Sequence, residues 1–172
     1  MKLFLPMFLL LSGLLICTGC SNVKVPDYLK NLCPVTITVT DGGLPMDGVA
    51  VILSSKGSQG AFACTGVTDA KGIAQIYSSC NSYTGKGTPA GTYSVVLIKT
   101  VDLPVDLVTV EEIDMKLSAS EQTAKHAKQE AFLEKNRLIP KILESSETSP
   151  VDLTVTGKTG IILTVDIAQY KK

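Results

Sequence analysis

Residues 92–100, Thr92-Tyr93-Ser94-Val95-Val96-Leu97-Ile98-Lys99-Thr100, decide the fold. Tyr93, Val95 and Leu97 alternate with Ser94, Val96 and Ile98, and a side-chain period of two marks a β-strand. The same period recurs upstream, where Val35, Ile37 and Val39 alternate with Thr36, Thr38 and Thr40, and again at Val49, Val51 and Leu53. Residues 61–68 form a further candidate strand. Asp69-Ala70-Lys71-Gly72 then reads as a tight turn in which Gly72 takes a positive φ, and residues 73–77 return as the antiparallel partner of 61–68. Residues 54–60 and 81–90 read as loops, and Asp41-Gly42-Gly43 as turn chemistry. Beyond a polar loop at 145–150, residues 151–156 and 161–167 supply the last two strands. Seven or so short strands with frequent turns predict a mainly β protein, a Greek-key β-sandwich.

Residues 109–138 change character and predict a short helical insertion before the last two strands. Thr109-Val110-Glu111-Glu112 and Ser118-Ala119-Ser120-Glu121 both fit capping boxes. Residues 121–137 are rich in Ala, Lys, Glu and Gln and contain no Gly or Pro. Two short helices are expected, ending before Pro140. Ala124, Ala127, Ala131 and Leu138 mark a thin apolar stripe, read as packing onto the side of the sandwich; the competing reading is a partner-binding face.

The N-terminus is an export signal in form. Lys2 precedes an apolar run from Leu3 to Ile16, followed by Cys17-Thr18-Gly19-Cys20. The run is shorter than the ~20 residues that comfortably span a bilayer core. The last four residues resemble the bacterial lipobox, with Cys17 where Leu is usual. That resemblance implies a signal peptide over residues 1–19, cleavage before Cys20 and lipidation of the Cys20 thiol. Membrane attachment would then rest on lipid, and a triacylated Cys carries enough methylenes for stable anchoring. An ordinary secretory signal with a coincidental Cys is the alternative. Ser21 is not the Asp that resembles an inner-membrane retention signal, so the expected location is the bacterial cell envelope, at the outer membrane. Residues 20–32 read as a lipidated tether, with Pro26 against a helix through its middle. The domain proper is expected over residues 33–168.

The chain has 16 basic and 16 acidic side chains and no basic patch, which argues against nucleic acid as a partner. After Cys20, Cys33, Cys64 and Cys80 remain. In an oxidising compartment a disulfide is plausible. Cys64 and Cys80 flank the predicted hairpin and are the favoured pair, Cys33 can replace either, and the alternative is three buried small hydrophobes. No spacing of His and Cys points to a metal, and no cofactor is expected.

Three motifs carry a family resemblance: Gly43-Leu44-Pro45-Met46-Asp47-Gly48-Val49-Ala50-Val51, Gly66-Val67-Thr68-Asp69-Ala70-Lys71-Gly72, and Gly87-Thr88-Pro89-Ala90-Gly91-Thr92-Tyr93-Ser94-Val95. Together they resemble the carboxypeptidase regulatory-like, or transthyretin-like, β-sandwich. The chain is also similar to small bacterial lipoproteins built on that domain, with Ile139-Pro140-Lys141 and residues 148–155 matching their tail. The resemblance implies a transthyretin/Ig-like sandwich used as a non-catalytic accessory module. Gly48, Asp69, Gly72 and Tyr93 receive architectural roles. Gly48 relieves crowding where a strand begins, Asp69 accepts backbone N–H bonds across its turn, and Tyr93 buries its ring while its hydroxyl reaches a nearby loop, as in a tyrosine corner.

Catalytic residues are not expected. His126 is the only His and lies in a predicted solvated helix, whereas a triad needs a base held by neighbours. The scattered Asp residues form no evident carboxylate pair. Asp41 to Gly48 lacks the alternating ligands of a Ca²⁺ loop, and Gly85-Lys86-Gly87-Thr88 lacks the full phosphate-loop spacing. The function expected from sequence is a lipid-anchored structural or protein-interaction module. The alternative is a carbohydrate-binding module using Tyr77 and Tyr83, with an envelope glycan as partner.

Overall fold

The computed structural model describes residues 25–57, 62–108 and 117–171. Cys20 and the capping box at Thr109 lie outside them. Among the described residues, ten strands form two sheets. β1 (Val35–Asp41), β2 (Leu44–Pro45), β5 (Ile73–Gln75) and β10 (Ile161–Asp166) make the smaller sheet. β3 (Ala50–Ser55), β4 (Ala63–Val67), β6 (Tyr77–Cys80), β7 (Tyr83–Lys86), β8 (Gly91–Ile98) and β9 (Asp152–Val155) make the larger one, in the order β7-β6-β4-β3-β8-β9. The architecture is a β-sandwich.

Alternation decides which side chains fill it. Val35, Ile37 and Val39 of β1 point inward, facing Val51, Leu53, Tyr93, Val95 and Leu97 of the larger sheet, and all belong to one buried cluster. Their neighbours Thr36, Thr38 and Thr40 stay half-exposed. β1 is central to the smaller sheet, antiparallel to β5 and parallel to β10. The first and last strands therefore lie side by side. A short 3-10 turn, Ile167–Tyr170, follows β10. It brings Lys171 to within 2.5 Å of the Asp41 carboxylate.

Residues 73–77 do not return as the partner of 61–68. β4 pairs with β3 and β6, whereas β5 pairs with β1. The Asp69–Gly72 turn carries the chain from one sheet to the other. Ile76, fully buried, is the crossing point: its N–H donates to Val35 and its carbonyl accepts from Gly87. The chain then rejoins the larger sheet as β6. The expected loop at 81–90 instead contains β7, a hairpin partner of β6, turned at Asn81 with φ 52°. Asn tolerates that left-handed conformation better than most residues.

Part of the segment expected to be a tether packs onto the domain. Residues 20–32 were assigned to the tether from sequence, yet Leu29 is fully buried. A 3-10 turn, Asp27–Leu29, starts after the extended Pro26. It sets the Tyr28 ring 5.5 Å from that of Phe62, while the Tyr83 hydroxyl donates to the Leu29 carbonyl at 3.2 Å. The domain therefore begins near Pro26. Leu29→Ala is expected to destabilise it by about 2–3 kcal/mol, the low end of the range for a buried Leu because the site lies at one end of the core. Urea unfolding would measure this, and a loss below about 0.5 kcal/mol would mean the segment is not part of the fold.

Candidate interaction surface

Strand direction gives the sandwich two distinct ends. The starts of β1, β4, β8 and β10 and the end of β3 lie together, and the N-terminal segment docks there. The opposite end holds the end of β1, the start of β3, the Asp69–Gly72 turn and the end of β8. From that second end the chain leaves β8 and forms the helical segment.

The helical segment is one described helix, α1 (Ala119–Lys135), with its capping box formed: Ser118 N–H donates to the Glu121 carboxylate at 2.8 Å and Ser118 Oγ accepts from Glu121 N–H at 3.4 Å. The Ser118 hydroxyl, which donates to the same carboxylate at 2.6 Å, and the Ser118 N–H hold the Glu121 carboxyl below its ordinary pKa. The sequence stripe is not the packed face. Ala124, Ala127 and Ala131 are exposed, and Gln129 is the one buried residue of the helix. Gln129 Nε2 donates to the Leu107 carbonyl and Lys125 Nζ to that of Val108 at 2.9 Å. The physical reason is area: an Ala methyl gains little from burial, while long amide and ammonium side chains satisfy carbonyls of the strap that follows β8. Helix α1 thus hangs from the strap by polar bonds and turns a small-residue face outward.

Between strap and helix lies a shallow groove lined by Lys99, Val101, Leu133, Leu138, Arg137 and Glu144. Leu133 and Leu138 are each about two-fifths exposed. Arg137 is clamped by Glu134 at 2.6 Å and by Glu144, and its hydrogen bond holds the Glu134 carboxyl below the usual range. On the outer face of the larger sheet, Val67, Ala50 and Ile98 fall in one cross-strand row, with Val67 64 % exposed. Groove and row lie at the same end of the molecule. They offer apolar contact area flanked by charge, which suits a protein surface.

The residues singled out from sequence fall as follows. Gly48 and Gly72 have φ of 66° and 73°. Asp69 Oδ1 accepts from Lys71 N–H at 2.9 Å and Ile73 N–H at 3.0 Å. Tyr93 is fully buried and its hydroxyl donates to the Pro89 carbonyl at 2.8 Å. His126 is exposed on α1. Tyr77 and Tyr83 sit on opposite faces of the β6–β7 hairpin, because Tyr77 pairs with Lys86 and Tyr83 with Cys80; they do not form a common stacking platform.

Cys33, Cys64 and Cys80 are free thiols, so the Cys64–Cys80 bridge expected from sequence is not formed. Register explains this. Cys64 pairs with Ser78 and Cys80 with Tyr83, so Cys64 and Cys80 are diagonal neighbours about 7–8 Å apart, beyond the usual Cα span of a disulfide. Cys64 instead joins a buried polar cluster that sequence reading missed. Its sulfur lies 3.0 Å from Ser78 Oγ and 2.8 Å from Thr88 Oγ1, and Ser78 donates to the Gly87 carbonyl. Burial pushes the Cys64 and Cys33 thiols up, which makes them poor nucleophiles.

Asp69 makes a pH prediction. Backbone N–H bonds from Ile73 and Lys71 lower its pKa. The folded state then favours the carboxylate, so this contribution is complete above the ordinary Asp value of about 4. It fades as pH falls through the lowered folded value. Asp69→Ala is expected to lower the urea midpoint at neutral pH, with the gap to wild type narrowing as pH drops below about 4. A gap that stays constant into strong acid would contradict the assigned role.

No family model matches the chain. No curated protein matches it either. Among solved structures, it is similar to the crystal structure of BcpA*(D312A), the major pilin subunit of Bacillus cereus, with a TM-score of 0.39 and 16% identity. The likeness covers 79% of this chain and 30% of the pilin chain, so the chain spans less than a third of that protein.

Proposed function

We propose that this chain is a lipid-anchored, non-catalytic β-sandwich of the bacterial cell envelope, held at the outer membrane through Cys20, that presents its far end to an envelope protein. One observation carries the reading: the N-terminal segment docks at one end of the sandwich, and the helical segment leaves from the opposite end. A lipid on Cys20 would leave only residues 20–25 between bilayer and domain, a reach of at most about 20 Å. The groove beside Leu133 and Leu138 and the row through Val67 and Ile98 would then face away from the membrane. The resemblance to carboxypeptidase regulatory-like domains supports an accessory role, because that fold works as a module around other proteins' activities.

The test is Cys20→Ser in the full chain, followed by fractionation and by photo-cross-linking from Leu138 and, as a control, from Lys30. The expected result is loss of membrane association in the variant. In the wild type, adducts to another envelope protein should form from Leu138 and not from Lys30. A variant that stays with the membrane, or adducts that form equally from both positions, would overturn the proposal.

A further inference from the structure

Among the described strands, one open edge lacks the protections the others carry. β9 begins after Pro150, and its first residue, Asp152, is ion-paired with Lys56. β7 ends in Lys86 and has Leu32 of the N-terminal segment packed against Gly85. β2 and β5 have two and three residues. β10 runs for six residues, and from Ile161 to Val165 it holds neither charge nor proline. Exposed edges are normally blunted by shortness, charge or Pro, because unpaired backbone groups template pairing with another strand.

The register shows which groups are free. Ile161 N–H donates to the Pro34 carbonyl, and β10 runs parallel to β1 with Val35 opposite Ile161. In that pattern Ile161, Leu163 and Val165 turn their backbone groups to β1, and Ile162 and Thr164 turn theirs outward. No hydrogen bond of the described residues reaches those outward groups. Ile162 is 79 % exposed and Thr164 is exposed beside it. After β10 the chain turns toward β1, where Lys171 meets Asp41, and so leaves this edge clear.

We infer that β10 pairs with β10 of a second copy, antiparallel about a two-fold axis at Leu163. Ile162 of each copy then opposes Thr164 of the other, so that four backbone hydrogen bonds form and each exposed face gains a β-branched cross-strand pair. The ends favour this direction. Lys158 precedes the strand and Asp166 closes it, so antiparallel pairing brings opposite charges together and parallel pairing brings like charges together. The two-fold arrangement uses the same edge on both copies and closes at a dimer.

The experiment uses full-length chains in membranes, one carrying Ile162→Cys and the other, distinguished by a size tag, Thr164→Cys. In the inferred register these positions form a hydrogen-bonded pair about 5.5 Å apart at Cα, within disulfide range. Mild oxidation should yield the mixed dimer in at least several-fold excess over a control pairing Ile162→Cys with Gln75→Cys, whose strand borders the opposite side of β1. Both test positions are exposed, so each variant should melt close to wild type. Absence of the mixed dimer from variants that melt like wild type would overturn the inference. So would equal yield from the control, or capture of a different protein at Ile162→Cys in place of a second copy.

Discussion

Tyr93→Ala is expected to lower the stability of the domain by about 3–5 kcal/mol, the range for removing a large buried ring. The ring is fully buried near the start of β8, where the strand lies between β3 and β9 in the larger sheet. Two losses combine. The inner faces of Val95, Leu153 and their neighbours lose a packed ring, and the buried Pro89 carbonyl loses the hydroxyl that bonds it at 2.8 Å. Burial also raises the pKa of this hydroxyl, so it remains a proton donor at neutral pH. Tyr93→Phe separates the terms: it keeps the ring and leaves the carbonyl unpaired, at an expected cost of about 1–3 kcal/mol. Urea unfolding of the two variants measures both. A loss under about 1 kcal/mol for Tyr93→Ala would mean that this side chain is not the pillar of the larger sheet.

Gly72→Val is expected to be nearly as damaging, for a backbone reason. Gly72 has φ +73°, and a Cβ there would sit 2.5 Å from the Val39 carbonyl oxygen and 3.1 Å from Met46 N. Those two atoms are already hydrogen-bonded to each other, and the Gly72 carbonyl accepts from Val39 N–H. Neither neighbour is a flexible side chain that can move aside. The left-handed conformation costs about 1–2 kcal/mol for an L-residue, and displacing two hydrogen bonds adds about 1 kcal/mol each, for a total of about 3–4 kcal/mol. Gly48→Ala is the internal comparison, because Gly48 has φ +66° with nothing within 4 Å of its Cβ position. It should lose only the conformational part. Equal losses at the two sites would show that the close approach to Val39 is not what requires glycine at Gly72.

The strands were legible wherever one face is buried and the other wet. Val35 to Thr40 read correctly because burial follows their parity residue by residue. Thr92 to Ile98 read correctly for a different reason, since Tyr93 to Leu97 are all buried and their aromatic and β-branched composition suits a strand covered on both faces. The partner of β5 was not legible. A turn such as Asp69–Gly72 serves a hairpin and a sheet-to-sheet crossing equally well, and the choice rests on contacts distant in sequence. One is Gly66, where a Cβ would lie 2.4 Å from the Gln75 carbonyl oxygen. The β6–β7 hairpin was hidden because Tyr83-Thr84-Gly85-Lys86 has no apolar alternation, and its one signal is Asn81 at the turn. Leu29 was hidden because an isolated Leu in a polar segment carries no period. The helix face was misread because three alanines mark a stripe without supplying much area to bury. At the candidate surface, Ser118 and Glu121 were readable as a cap, while Gln129, Lys125 and the groove beside Arg137 depend on where the strap after β8 runs. Local pattern specifies the elements; long-range approach specifies which sheet, face and edge each one uses.

The most direct test of the account is the intact mass of the protein from the membrane fraction, with alkylation before and after reduction. The expected mass is residues 20–172 plus a diacylglyceryl group and a fatty acyl chain, with Cys33, Cys64 and Cys80 all alkylated in the denatured, unreduced sample. A soluble product without lipid would contradict the anchored module. An alkylation count that rises by two on reduction would contradict the three free thiols.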